Sequence, residues 1–428
     1  MNRKWNFLLL SLLVAAICAF GVPYETSTEL TSAIDSGDTA WMVVASAFVL
    51  LMTPGLAFFY GGMVNKKNVI STMLQSFVAL GVISVIWVTV GFSLCFGDSL
   101  GGIIGDPRSH FAFRGVGLAA NPDFAATIPF LLFALFQLKF AIITPALITG
   151  SFAGRIRFRS YILFMVLFSL VVYPPLAHMT WHPEGLLRNW GVLDFAGGTV
   201  VHMSAGFAAL AGALFLGKRK HADDEPANIP FVILGTGLLW FGWFGFNAGS
   251  ALGANADAVK AFANTNLASA AAMITWVFYE RFQNRKMSAL GACIGAIVGL
   301  VAITPAAGFV SIGHSILIGF VAALASNWAI RLQSKFSVDD TLDVFPSHGI
   351  GGVVGMILTG VLAEGEGLIF GETTLFLRHL IALIAVAVIT FGLSYVLYMV
   401  VNWVIPMRVR SDQEQRGLDH SQHGERLS

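Results

Sequence analysis

The sequence predicts an all-α polytopic membrane protein with eleven transmembrane helices, arranged as a five-plus-five inverted repeat followed by a long last helix. Three observations carry that expectation. Hydrophobic residues make up 56% of the chain and charged residues 11%, under half the charged share of ordinary soluble domains. Mean hydropathy is +0.75. Apolar stretches recur along the chain, each long enough to cross a hydrocarbon core about 30 Å thick, and basic residues alternate in density between them.

Taken in order, residues 1–21 read as a secretory signal peptide. Arg3 and Lys4 open it, Phe7 to Phe20 form its apolar centre, and small residues follow near Ala19 to Gly21. Ile17 before Cys18 argues against a lipoprotein signal. The spans then lie near 41–64, 69–97, 125–152, 160–180, 196–217, 228–249, 261–281, 287–306, 312–333, 346–364 and 374–405. These runs are too long for barrel strands and do not alternate strictly, which argues against sheet. The domain reading is a signal at 1–21, a membrane domain at 22–405 and a cytoplasmic regulatory tail at 406–428.

Charge placement tests the count. With the mature N-terminus outside a cell (inner or plasma) membrane and the C-terminus cytoplasmic, the inside connections hold Lys66 and Lys67; Arg155, Arg157 and Arg159; Lys218, Arg219 and Lys220; Arg281, Arg285 and Lys286; Arg331 and Lys335; and four tail arginines. The outside keeps only Arg108, Arg114, Arg188, Lys260 and Arg378. One helix more or fewer would invert the pattern downstream, so the odd number stands. A net charge of +1 gives no electrostatic case for nucleic acid, and Cys18, Cys95 and Cys293 form neither a disulfide framework nor a metal spacing. The tetrapeptide Ile143-Thr-Pro-Ala146 returns as Ile303-Thr-Pro-Ala306, and one buried histidine falls in each half, which suggests an inverted duplication with a path between the halves.

Those histidines are His202, in Gly197-Gly-Thr-Val-Val-His202, and His348, in Phe345-Pro-Ser-His348-Gly. An ionisable residue inside a span is a functional candidate because the bilayer cannot solvate its charge. A glycine-rich bundle packs tightly and leaves a narrow lumen. Lined by apolar groups and two imidazoles, such a lumen has too few oxygens to replace the water of a metal ion. A small neutral polar molecule suits it better. Trp181, Phe136, Phe140, Trp243, Phe246 and Ser250 cluster at the outer ends of the spans, where ring faces attract cations. For the tryptophans, the residues by themselves favour an interfacial aromatic belt.

Several runs resemble the ammonium transporter (Amt) family of the Amt/Mep/Rh superfamily: Pro54-Gly-Leu-Ala-Phe-Phe-Tyr60, Phe136-Gln-Leu-Lys-Phe140, Ala177-His-Met-Thr-Trp181, Leu193-Asp194-Phe-Ala-Gly-Gly, Trp243-Phe-Gly-Phe246-Asn-Ala-Gly-Ser250 and Asp343-Val-Phe-Pro-Ser-His348. The resemblance covers nearly the whole mature chain. It implies a homotrimer with one pore per subunit, no cofactor, no enzymatic activity, and ammonium, ammonia or methylammonium as cargo. It makes Phe136, Trp181 and Ser250 an outer recruitment site, Phe140 and Phe246 the rings closing the pore, and His202 and His348 its paired histidines. Asp194, just before span five, corresponds to the family's essential aspartate; an aspartate there also caps free amides.

Two positions depart from the family pattern. Lys139 precedes the gate Phe140, and Gly154 stands where an acid is common. A charge on Lys139 facing the vestibule would repel ammonium, whereas a turn toward a helix contact or interface would not. The tail reads as solvated by composition; the resemblance, through Gly417-Leu-Asp419 and His423-Gly-Glu425, implies regulatory contacts and a PII-type partner at the cytoplasmic face. Three other readings compete: an ammonium receptor or sensor with little conduction, a haem-binding membrane redox protein using the two histidines as axial ligands, and a Rhesus-type gas channel.

Overall fold

The spans form because apolar runs cannot leave backbone amides unpaired in lipid, and a helix satisfies them internally. The computed structural model describes residues 14, 16–17, 33–222, 225–336 and 338–427; most of the expected signal segment 1–21 lies outside them. Eleven long helices lie among the described residues. α1 is Ser36–Met63. α2 is Val69–Ile86, continued through a π-turn at Trp87–Gly91 to Phe92–Phe96. α3 is Phe130–Ile148, and α4 is Phe158–Val171 followed by Tyr173–Trp181. α5 opens with a π-turn at Gly198–Met203 and runs as Ser204–Leu216. α6 is Ile229–Gly249, α7 Ala256–Phe282, α8 Ala289–Ile303 and α9 Ile312–Lys335. α10 opens with a π-turn at Phe345–Ile350 and runs as Gly351–Leu362. α11 is Thr373–Val404.

Polar caps begin α6 and α8 where expected, whereas α1 and α7 start five residues before the expected 41 and 261, because Asp35 and Asn255 cap polar first turns that hydropathy does not count. Asp35, Asn228, Asn255 and Ser288 each accept an amide N–H from the first turn of α1, α6, α7 and α8. The expected start of span three differs. Residues Ala125–Pro129 form a strand paired with Ala120–Asn121, and α3 begins at Phe130. Pro129 biases Ile128 to extended backbone and has no N–H of its own to donate. A second hairpin, Ser99–Leu100 with Ile104–Gly105, sits in the same connection. At 32 residues α11 is about 48 Å long, so it must tilt to cross a bilayer. Leu377, Ile381, Ile384 and Val388 on it are all more than half exposed, an apolar stripe suited to lipid.

The two halves pack alike. α1 touches α2 and α3 as α6 touches α7 and α8; α3 touches α5 as α8 touches α10; α1 and α6 lie along each other. Five spans per half put the second half upside down with respect to the first. Both histidine helices begin with a π-turn, a form found often at functional positions. The Thr144 hydroxyl donates to Phe140 O and Thr304 to Leu300 O, one turn back in each case, immediately before Pro145 and Pro305. α11 stands outside the repeat and packs on α5, α4 and α10. The remaining chain forms α12, Ser411–Arg416, and a further turn at Asp419–His423.

The tail is docked rather than solvated. Its Glu414 carboxylate accepts the His221 amide and pairs with Arg408 at 3.0 Å. Asp419 accepts the Ile70 and Ser71 amides at the start of α2, at 3.0 and 2.7 Å. Gln422 bonds both Ile156 O and the Phe158 amide.

Candidate functional site

A vestibule of about 360 Å³ opens on the face opposite the tail. Its wall comes from the ends of four spans. α3 presents Phe133, Gln137 and Phe140, spaced to share one helix face; α4 ends in Trp181, α6 in Ser250, and Asp194 precedes α5. The Ser250 hydroxyl donates to Phe246 O at 2.9 Å, which leaves its lone pairs free. The sequence reading missed Gln137 and Thr180; both line the vestibule, and Gln137 Oε1 and Thr180 Oγ1 are buried acceptors with no partner. The signal for Gln137 was its place one turn from Phe133 and Phe140.

Phe136 sits elsewhere. It is fully buried and packs edge-on against Phe140 at 5.0 Å, off the vestibule wall. Trp181 meets Phe140 at 5.7 Å and nearly perpendicular, its indole N–H donating to Asp194 O at 3.3 Å. Lys139 does not line the vestibule. It is half-buried on the stripe of Leu131 and Leu135, which answers the concern that its charge opposes a cation there.

Phe140 on the vestibule wall is backed by a second ring, Phe246. Phe140 and Phe246 lie 4.2 Å apart at 32°. Beyond them His202 stacks on Trp243 at 5.3 Å, and the His348 ring lies nearly parallel to it with centroids 5.5 Å apart. The imidazoles meet edge to edge, Nδ1 to Nδ1, at 3.4 Å. Only one of these nitrogens can carry the shared proton, so the contact fixes unlike roles for the two rings. Rings touching in this way leave no slot for a macrocycle between them, so the pair does not fit axial haem ligation. Trp243 is held in turn by a 2.9 Å bond from its N–H to Thr304 Oγ1.

Helix approach makes this contact possible. A side chain at Gly206 would lie 2.1 Å from the Gly349 amide and 2.3 Å from its Cα. α5 and α10 therefore cross in near backbone contact, which small residues permit in membranes. Asp194 secures the start of α5. Its Oδ1 accepts the Gly197 and Gly198 amides at 2.8 and 2.7 Å, and its Oδ2 accepts the Thr199 amide at 2.8 Å and the Thr199 hydroxyl. The sequence also missed His379 of α11. Its Nδ1–H donates to Met356 O at 2.8 Å, and its Nε2 accepts the Leu193 amide at 3.0 Å, bracing the segment that holds Asp194.

Below His348 the space narrows to about 10 Å³ among Phe59, Met63, Ile294 and Leu342, room for about one water. It leads to a chamber of about 340 Å³ on the tail face. Asp339 pairs with Arg219 at 2.8 Å and lies below the usual carboxylate range: burial raises it, but the arginine bonds outweigh that. Burial pushes Asp340 up to about 6, against the Phe345 amide it accepts. Arg155 is buried against Thr341 Oγ1 and Ser151 O, and burial lowers it to about 10. Arg155 and Arg219, read from sequence as topology charges, thus also brace this chamber. Gly154 lines it at a φ of +78°, and the tail docks beside it without an acid there.

A polytopic helical bundle with an aromatic-walled vestibule, a narrow, mostly apolar neck holding two imidazoles, and a chamber on the far side defines a multi-pass membrane protein built around a small-solute passage. The model of the Ammonium Transporter Family matches residues 40–427. An ammonium transporter of Aquifex aeolicus (strain VF5) is 47% identical over 400 residues, 92% of this chain and 93% of the relative. One from Bacillus subtilis (strain 168) is 44% identical over 402 residues, 91% and 98%. The crystal structure of Saccharomyces cerevisiae Mep2 superposes with a TM-score of 0.83 at 34% identity, covering 90% of each chain. The chain belongs to the ammonium transporter family.

Proposed function

We propose that this protein carries ammonium nitrogen across a membrane by binding ammonium, removing its proton and conducting ammonia. Trp181 and Ser250 receive the cation in the vestibule, and Phe136 acts from behind by fixing Phe140. Phe140 and Phe246 close the floor, the proton is lost there, and ammonia passes His202 and His348. The observation that carries this reading is the imidazole pair at 3.4 Å behind the paired phenyl rings, in a neck lined mostly by apolar side chains.

Magnitudes favour deprotonation. An ammonium ion stripped of water in a low-dielectric neck costs up to tens of kcal/mol by an idealised Born estimate. Removing its proton at pH 7, from a pKa of about 9, costs about 3 kcal/mol. The imidazoles can then hand on a base that needs one or two hydrogen bonds, or relay the proton. Asp194, with four donors on its carboxylate, acts as structural support.

The same reading takes residues 1–21 as a cleaved signal, places the vestibule outside a cell membrane and the tail in the cytoplasm, and makes the functional unit a homotrimer. A PII-type protein at the tail face completes it; nucleotide-sensitive co-purification with the full chain is the assay.

Methylammonium uptake in cells lacking their own ammonium uptake tests the function. We expect uptake with the parent chain and strongly reduced selective flux with His202→Ala combined with His348→Ala. Undiminished flux and selectivity in that double variant would remove the histidines from the mechanism. Binding without uptake would favour a receptor.

A further inference from the structure

On the tail face, apart from the passage, lies a hollow of about 490 Å³ between the α1–α2 connection and the tail. Lys66, Lys67, Arg416 and Arg426 line it together with His420. Among the described residues, no ion pair engages Lys66, Arg416 or Arg426. Lys67 Nζ donates only to a neutral carbonyl, Gln415 O, at 3.3 Å. The one carboxylate on the wall is turned away: Asp419 is 2% exposed and spent on the Ile70 and Ser71 amides. Glu425, near Asp419 and His423, is not on the wall.

Topology explains basic residues in a connection. It does not explain why two segments some 350 positions apart are clamped so that their cations surround one hollow. The clamp is specific. Gly417 holds a φ of +91°, and a side chain there would lie 2.5 Å from Lys67 Cβ and O. The Leu418 amide donates to Asn68 Oδ1 at 2.8 Å. Arg416 and His420, flanking that contact, are thereby fixed beside Lys66 and Lys67. Lys66, Arg416 and Arg426 are exposed and Lys67 half-buried, so among the described residues the four cations face this hollow with no carboxylate turned toward them, a charge that a multiply charged anion answers.

We propose that this hollow binds a phosphate-bearing ligand. The arginine forks match phosphate oxygens two at a time, and the lysines act as point charges. The volume admits a phosphate with an attached polyol. Such a group is available both in an acidic lipid headgroup at the membrane surface and in a free phosphate ester.

The test uses the purified full-length chain in neutral detergent with fluorescent phosphatidylglycerol as probe and phosphatidylcholine as its neutral counterpart. We expect retention of the acidic lipid alone, falling with ionic strength. Lys66→Gln, Arg416→Gln and Arg426→Gln together should weaken retention at least about tenfold. Arg285→Gln, Lys286→Gln and Lys335→Gln, which remove as much charge from the tail face elsewhere, should not. Competition by millimolar glycerol 3-phosphate assigns the site to free phosphate esters, and its failure assigns it to lipid. Equal loss in both triple variants, or retention insensitive to salt, overturns the proposal. If the first triple variant melts early, Lys66→Gln with Arg426→Gln, both outside the Gly417–Asn68 clamp, replaces it: reduced retention supports the proposal and unchanged retention overturns it.

Discussion

Asp194 offers the sharpest test of how the site is held. Its carboxylate accepts from the Gly197, Gly198 and Thr199 amides and the Thr199 hydroxyl, and it is 7% exposed. Asp194→Ala strips the acceptor from all four donors. At about 1–3 kcal/mol for each buried donor left bare, with partial relief from vestibule water, the loss is about 3–6 kcal/mol. That is a large share of typical folding stability. Asp194→Asn keeps one oxygen for Gly197 and Gly198 but turns an NH2 toward the Thr199 donors, so about 2–3 kcal/mol is expected. Thermal unfolding of the purified protein should rank the parent above Asn above Ala, with methylammonium flux per folded molecule falling in the same order as the start of α5 loosens. An Asn variant as stable as the parent but without flux would refute this reasoning, because it would make Asp194 a contact for the ion rather than a cap.

Three other outcomes are expected. Gly206→Val drives a side chain into Gly349, so α5 and α10 must separate and the imidazole contact at 3.4 Å must open; we expect about 1–3 kcal/mol of destabilisation and collapse of uptake, measured by melting and flux. Asp340, raised to about 6 in the fold against 3.8 ordinarily, binds its proton more tightly folded than unfolded. Folding is therefore favoured progressively as pH falls from 6 toward 4, by about 3 kcal/mol at most, and Asp340→Asn should flatten that part of a melting-temperature profile. His379→Leu leaves the Leu193 amide without its acceptor; about 1–3 kcal/mol is expected, and unchanged melting would deny His379 its bracing role.

The span boundaries were legible because they depend on local chemistry. Asn228 and Ser288 cap helices where the apolar runs begin, but α7 starts at Ala256, before the expected 261, because Asn255 caps a polar first turn. The start of α3 was not legible, since Ala125–Pro129 is as apolar as the helix after it and only pairing with Ala120–Asn121 separates them. The site was half legible. His202, His348, Phe140 and Phe246 stood out as residues out of place or repeated in family-like runs. Gln137, Thr180 and His379 did not, because an amide, a hydroxyl or an imidazole in a span gains meaning only from what faces it. Phe136 was expected on the vestibule wall, yet packing places its ring behind Phe140.

The amino-acid sequence alone determined that this chain crosses a membrane many times, how often, and which two halves correspond. Hydropathy and charge act through the immediate neighbourhood of each residue, so they can be read along the chain. Tertiary structure alone decided that His202 and His348, 146 positions apart, share a contact behind two phenyl rings, that Lys139 avoids the vestibule, and that the tail closes over the first connection. Those outcomes depend on how nearly two backbones can approach, a property of pairs of distant residues that no single stretch encodes.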